Sequence, residues 1–129
     1  MKKPILIIER YDGIYKKAVN LLSGALSGYT ERPLPIKLGD APSADAIKER
    51  ETVVVGSFDF PLISQLCELG LLTRSNKSES YSIYVGKHPK GEGELIAIAG
   101  ADGSGVLYGC VDFINRYCGS ELWMDGYLW

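Results

Sequence analysis

The sequence predicts an α+β domain: a mixed β-sheet with helices packed mainly on one face, in which a β-hairpin leads into a long C-terminal helix. Three observations predict it. The apolar runs Ile5–Ile8 and Thr52–Gly56 are continuous, as in strands buried on both faces. Between and after them, apolar residues recur every three or four positions over segments of helical length. Finally, Tyr81-Ser-Ile-Tyr-Val85 and Glu94-Leu-Ile-Ala-Ile-Ala-Gly-Ala101 flank a glycine-containing turn, the pattern of a hairpin. The order β-α-β-(α)-β-α-β-β-α places crossovers early and the hairpin late, which calls for a mixed, two-layer arrangement.

Each element has its own justification. Ile5–Ile8 is the first strand, ended by Glu9-Arg10. Asp12 stands at the N-cap position of a helix from Ile14 to about Leu26, where Tyr15, Ala18, Val19, Leu22, Ala25 and Leu26 form one face opposite Lys16, Asn20 and Ser23. Gly28 to Pro35 is a connection, Pro35-Ile-Lys-Leu38 a short strand, and 39–42 punctuation. Ser43 caps one or two helical turns reaching Arg50. Thr52-Val-Val-Val-Gly56 is β-branched and central in character. Asp59 is expected to cap the next helix, with Pro61 in its first turn, Ile63, Leu66 and Leu69 buried, and Gly70 as its stop. The hairpin turn is His88-Pro-Lys-Gly-Glu-Gly93, and Asp102-Gly-Ser-Gly105 opens the last helix at Val106.

The chain has 129 residues, of which 46% are hydrophobic and 23% charged, with a formal charge of −2. This bounds it to one domain with a sizeable core. No nucleic-acid partner is expected, since Lys and Arg do not cluster, and no membrane partner, since no run approaches the roughly 20 apolar residues of a span. Cys110 and Cys118, eight residues apart on one helix, would lie about 12 Å from each other and cannot pair. With Cys67, they read as small core residues.

The Gly103-x-Gly105 turn is the natural place for a phosphate site, because a strand followed by glycines and a helix can cradle an anion. The third glycine of a dinucleotide fingerprint would fall at Tyr108, and Gly109 comes one residue late. No Gly-Lys-Ser/Thr follows. Asp102, Gly103, Gly105, Tyr108 and Gly109 are therefore read as a turn and a close helix–sheet approach. His88, the only histidine, reads as a solvated turn residue without metal partners, and Asp102 and Asp112 as helix-start charges. No catalytic residue, metal site or cofactor is expected. In the last helix Leu107, Cys110, Val111, Ile114 and Cys118 form one apolar stripe, and Val106, Cys110, Phe113 and Tyr117 a second. The arc is wider than one sheet requires. It fits either a groove between the sheet and a neighbouring helix, or docking on another domain through Val106, Phe113 and Tyr117, with Trp123 and Trp129 of the aromatic tail; the tail fits equally an aromatic strand that closes the domain's own sheet.

The stretch from 81 to 117 resembles the non-catalytic N-terminal α/β domain that precedes the (β/α)₈ barrel in α-glucuronidases and β-N-acetylhexosaminidases. The matching residues are Tyr81-Ser-Ile83, Ile96-Ala-Ile98, Gly100-x-Asp102 and Gly105-Val-Leu-Tyr108-Gly109. The resemblance implies a single accessory domain over 1–129, a fragment of a longer multidomain glycoside hydrolase, with helices facing the barrel and no catalytic carboxylates of its own. It implies the catalytic domain of the same polypeptide as partner, carbohydrate bound through that domain, and a periplasmic or secreted location with the signal upstream. Two other functions stay open: a stand-alone nucleotide- or phosphate-binding enzyme domain built on Gly103 and Gly105, and a carbohydrate-binding module using exposed tryptophan or tyrosine rings.

Overall fold

The structure, a computed structural model, describes residues 5–27, 43–49 and 51–117 and the backbone of 36–38. Five strands, β1 (Ile5–Ile8), β2 (Ile36–Leu38), β3 (Thr52–Ser57), β4 (Tyr81–Lys87) and β5 (Glu94–Gly100), form one sheet in the order β2-β1-β3-β5-β4. All pairings are parallel except β4 with β5, so the sheet is mixed as expected. Three helices accompany it: α1 (Gly13–Ser27), α2 (Pro61–Glu68) and α3 (Gly103–Tyr117).

The continuous apolar runs explain the layering. The registers Leu6↔Val53↔Ile96 and Ile8↔Val55↔Ile98 line up one row of side chains across three strands. That row packs against Ala18, Val19 and Leu22 of α1 and Val106, Cys110, Phe113 and Ile114 of α3. The alternate residues Ile7, Val54, Leu95, Ala97 and Ala99 point the other way, onto Leu62, Ile63 and Leu66 of α2 and Ile47 of a 3₁₀ turn at Asp45–Ile47. The two long helices thus share one face. The second face is covered as well, so a thinner third layer is added to the two expected, because strands apolar on both sides must be shielded on both.

The wide arc of α3 has a local cause. The helix lies in the angle between the sheet and α1, and both demand apolar contacts. Val106 and Phe113, expected on an outer docking surface, are core residues with almost no exposure. Tyr117 is 51% exposed. Trp123, Trp129 and Cys118 lie outside the described residues, as do the connection at 28–35 and the punctuation at 39–42.

Element boundaries follow their caps. α3 starts at Gly103, one turn before Val106. At α2 the N-cap is Phe60, with Pro61 in the first turn, and Asp59 stands one residue outside. The end of α2 closes with Leu71 N–H donating to the Leu66 carbonyl and Gly70 N–H to that of Cys67, around Gly70 at φ 80°. Asp12 caps α1 through its carbonyl, which accepts Tyr15 and Lys16 N–H, while its carboxylate turns to Arg10.

His88 departs most from expectation: it is 3% exposed. Its Nδ1 accepts Lys90 N–H at 3.0 Å, which assigns the ring proton to Nε2, donating to the Ala44 carbonyl at 2.7 Å. Gln65 Oε1 accepts Ala44 N–H at 2.7 Å. The histidine and the glutamine thereby clamp the 3₁₀ turn between α2 and the hairpin. The ring is buried because the turn at 43–49 folds over it, a contact more than forty residues away in sequence.

Two glycine-to-alanine substitutions should move stability in opposite directions. Gly24 is exposed in α1, and a methyl group there would meet open space, so Gly24→Ala is expected to stabilise by up to about 1 kcal/mol. At Gly105 a methyl group would collide with the backbone carbonyl of Ser80, so Gly105→Ala is expected to destabilise by about 1–3 kcal/mol. Urea unfolding of both variants measures the pair.

Candidate functional site at the carboxyl edge of the sheet

β1, β3 and β5 end on one edge, and α1, α2 and α3 all begin there. In open parallel sheets ligands bind outside these strand ends, where the chain's winding direction reverses. Here it reverses between β1, which winds outward to β2, and β3, which leads toward β5 and β4. Glu9, the first residue after β1, occupies that crevice. Its Oε1 accepts Ser57 N–H at 2.8 Å and its Oε2 accepts the Ser57 hydroxyl at 3.1 Å. The backbone donor at the end of β3, which a ligand's anionic group would seek, is already held by a carboxylate of the chain.

The glycine turn after β5 is closed in the same manner. Asp102 Oδ1 accepts Gly105 N–H at 2.8 Å, in the first turn of α3. Its Oδ2 accepts Glu79 N–H at 3.1 Å and approaches the Ser78 hydroxyl at 3.4 Å. Glu79 sits in the left-handed region at φ 64°, a conformation unfavourable for glutamate that this bond holds in place. The bonds from Gly105 and Glu79 lower the Asp102 carboxyl below its ordinary range. A phosphate approaching these amides would meet a carboxylate already seated on them.

Gly105 and Gly109 serve close packing. Gly105 passes beneath the Ser80 carbonyl, and a Cβ at Gly109 would stand 2.8 Å from Ile98 Cγ2 and 3.3 Å from Tyr81 Cβ. Gly103 backs onto Ile14 of α1. Tyr108 is 43% exposed on the outer flank of α3. Tyr81 crosses from β4 to α3, donating its hydroxyl to Asp112 Oδ2 at 2.9 Å, while Arg116 Nε donates to Asp112 Oδ1 at 2.8 Å. Asp112 is therefore a link between strand and helix.

Elsewhere on the edge, Arg10 and Asp12 form a two-pronged ion pair at 2.6 Å, and the Arg10 guanidinium lies 4.9 Å from the Tyr15 ring centroid. That bond to Arg10 lowers the Asp12 carboxyl. Glu9, Asp12, Asp59 and Asp102 stand there against Arg10 and Arg74, the latter 3.8 Å from Asp59. Among the described residues no group of three or more His, Cys, Asp or Glu side chains could hold a metal ion. Burial raises both described thiols, Cys110 to about 12, so neither is a poised nucleophile. A depression of about 230 Å³ beside His88, lined by Ser43, Asp45, Gln65, Glu68 and Lys90, is smaller than ligand pockets usually are.

No family model matches the chain, and no curated protein matches it. A solved structure does. It is a GH138 enzyme targeting pectin rhamnogalacturonan II, 15% identical, with a TM-score of 0.45. The match covers 92% of this chain and 14% of that one, so the chain spans about a seventh of that enzyme's length.

Of the site residues read from the sequence, the structure brings Asp102, Gly103 and Gly105 together in one turn and sets Gly109 one helical turn later against β5. Val106 and Phe113 go to the core. The Glu9–Ser57 and Tyr81–Asp112 bonds were not read from the sequence. A carboxylate immediately after a buried strand is the one signal that could have pointed to the first.

Asp102→Ala should cost about 1 kcal/mol of stability at pH 7, the usual loss of a helix cap. The folded carboxyl lies below its unfolded range, so its contribution is complete above about pH 4 and fades as the pH falls through the folded value. The melting-temperature gap between the natural chain and the variant is therefore expected to narrow from pH 7 to pH 3. A gap constant with pH would show that the carboxylate's charge contributes nothing.

Proposed function

We propose that the chain is a non-catalytic accessory α/β domain of a glycoside hydrolase, packing against the (β/α)₈ catalytic domain of the same polypeptide. One observation carries this reading: the carboxyl edge, where an α/β enzyme would bind its ligand, is filled by the chain's own Glu9 and Asp102 carboxylates. The glycines of the family-like Gly105-Val-Leu-Tyr108-Gly109 segment act in packing, as an accessory domain needs. The phosphate-binding alternative loses its donors by the same token. Carbohydrate and substrate binding belong, in this reading, to the barrel.

Docking rests on Tyr117, with Trp123 and Trp129 as further candidates beyond the described residues. The Tyr117 ring is held 5.1 Å from the Phe113 ring centroid, and half of its surface is open. An aromatic fixed by the core on one side and open on the other is the kind of residue that anchors an interface. A carbohydrate-binding module would use such rings differently, as a flat stacking platform. Among the described tyrosines, Tyr81 is tied through its hydroxyl to Asp112.

The reading frame beyond Trp129 tests the proposal. A barrel with paired acidic residues there supports it, and a stop codon overturns it. With the barrel expressed separately, Tyr117→Asp should weaken its association with the 129-residue chain by about tenfold or more. Isothermal titration calorimetry reads that change, and an unaltered affinity would remove Tyr117 from the interface.

A further inference from the structure

We propose that β4 is a self-complementary edge through which two copies of this chain pair, antiparallel, into one continuous sheet. This goes beyond the accessory-domain reading and does not depend on it. β4 ends the sheet. In an antiparallel ladder the backbone groups of alternate residues point to opposite neighbours. The bonds Ala101 N–H to the Ser80 carbonyl and His88 N–H to the Gly93 carbonyl share the β4–β5 register and fix which residues those are. Even-numbered residues of β4 address β5. The N–H and C=O groups of Tyr81, Ile83, Val85 and Lys87 face outward, the Lys87 carbonyl also accepting the Tyr84 hydroxyl of its own strand at 2.6 Å.

An antiparallel copy centred on Tyr84 uses the whole strand. Ile83 pairs with Val85 of the second copy, Tyr81 with Lys87, and Tyr84 with itself on the two-fold axis. The odd-numbered residues then form the hydrogen-bonded pairs, as their outward groups require, and Tyr84 falls at a non-hydrogen-bonded position. On the face shared with α3, Ile83 and the 42%-exposed Val85 meet their counterparts. Lys87, whose ammonium is paired with Glu92 of its own hairpin at 3.0 Å, falls opposite the 39%-exposed Tyr81 of the second copy at each end. Lys87 is the only charge on β4, and the antiparallel arrangement sets the two copies of it at opposite ends. β4 has no proline or bulge, and its single lysine is at one end, so the usual means of blunting an edge are sparse.

Sedimentation equilibrium of the 129-residue chain should show a dimer. Val85→Pro removes an outward N–H that the β4–β5 ladder does not use. It should weaken the dimer by about tenfold or more, since the two-fold axis deletes two hydrogen bonds at once. Val85→Lys, which sets a charge against Ile83 of the second copy, should do the same if the proline variant misfolds by circular dichroism. Tyr84→Cys should cross-link under mild oxidation well above the background of the unsubstituted chain, and Tyr81→Cys should not. A monomer at every concentration overturns the proposal, whether residues 118–129 or another partner takes the edge. So does a dimer that survives both Val85 variants, or one that cross-links better through residue 81 than through residue 84.

Discussion

The Asp102 carboxylate ties together the start of β4, the end of β5 and the start of α3, which the β4–β5 ladder has already brought side by side. One oxygen holds the first turn of α3 through Gly105 N–H, and the other holds the left-handed turn at Glu79 that precedes β4. Gly105, lacking a Cβ, lets α3 pass beneath the Ser80 carbonyl at the same point. The start of β4, the end of β5 and the start of α3 are thereby fixed together. Tyr81–Asp112 then extends the attachment further down the helix. The junction closes the open end of the β4–β5 ladder, while the seating of α3 against α1 rests on their shared apolar core.

Its chemistry also bears on function. A helix N-terminus at the end of a parallel strand attracts anions, through its free amides and its dipole. This chain places an anion there itself, and Glu9 does the same at the reversal between β1 and β3. A site satisfied by covalently attached carboxylates gains rigidity and loses access, since a ligand would have to displace a group whose effective concentration is high. At this edge the backbone donors of Ser57, Glu79 and Gly105 are held by the chain's own carboxylates, and the partner surfaces proposed above lie elsewhere, on Tyr117 and along β4.

The legible parts of the fold were those in which local pattern and burial agree. Ile5–Ile8 and Thr52–Gly56 announced strands because they are apolar without interruption. Gly70 and Pro61 bounded α2 by their own backbone chemistry. Gly109 reads as a packing glycine because its spacing fails the phosphate pattern, and a Cβ there would stand 2.8 Å from Ile98 Cγ2. His88 was misread because a histidine between a strand and a proline looks solvated, and only the 43–49 turn, far away in sequence, covers it. The third layer was missed for a related reason: strands apolar on both faces demand two covers, but α2 is short and the other cover is a 3₁₀ turn.

What the sequence determined by itself was periodicity: which segments are strands, which are helices, and which side of each is apolar. Those follow from the fixed repeats of backbone geometry, which any window of the chain displays. What only the tertiary structure decided was the use of that apolar surface. The wide arc of α3 fitted both an outer docking face and an inner groove. The groove claimed Val106 and Phe113 because α1 and α3 lie side by side on one face of the sheet. Likewise no local pattern could say that Glu9 reaches Ser57, since a side chain's partner forty-eight residues away is set by strand order and register.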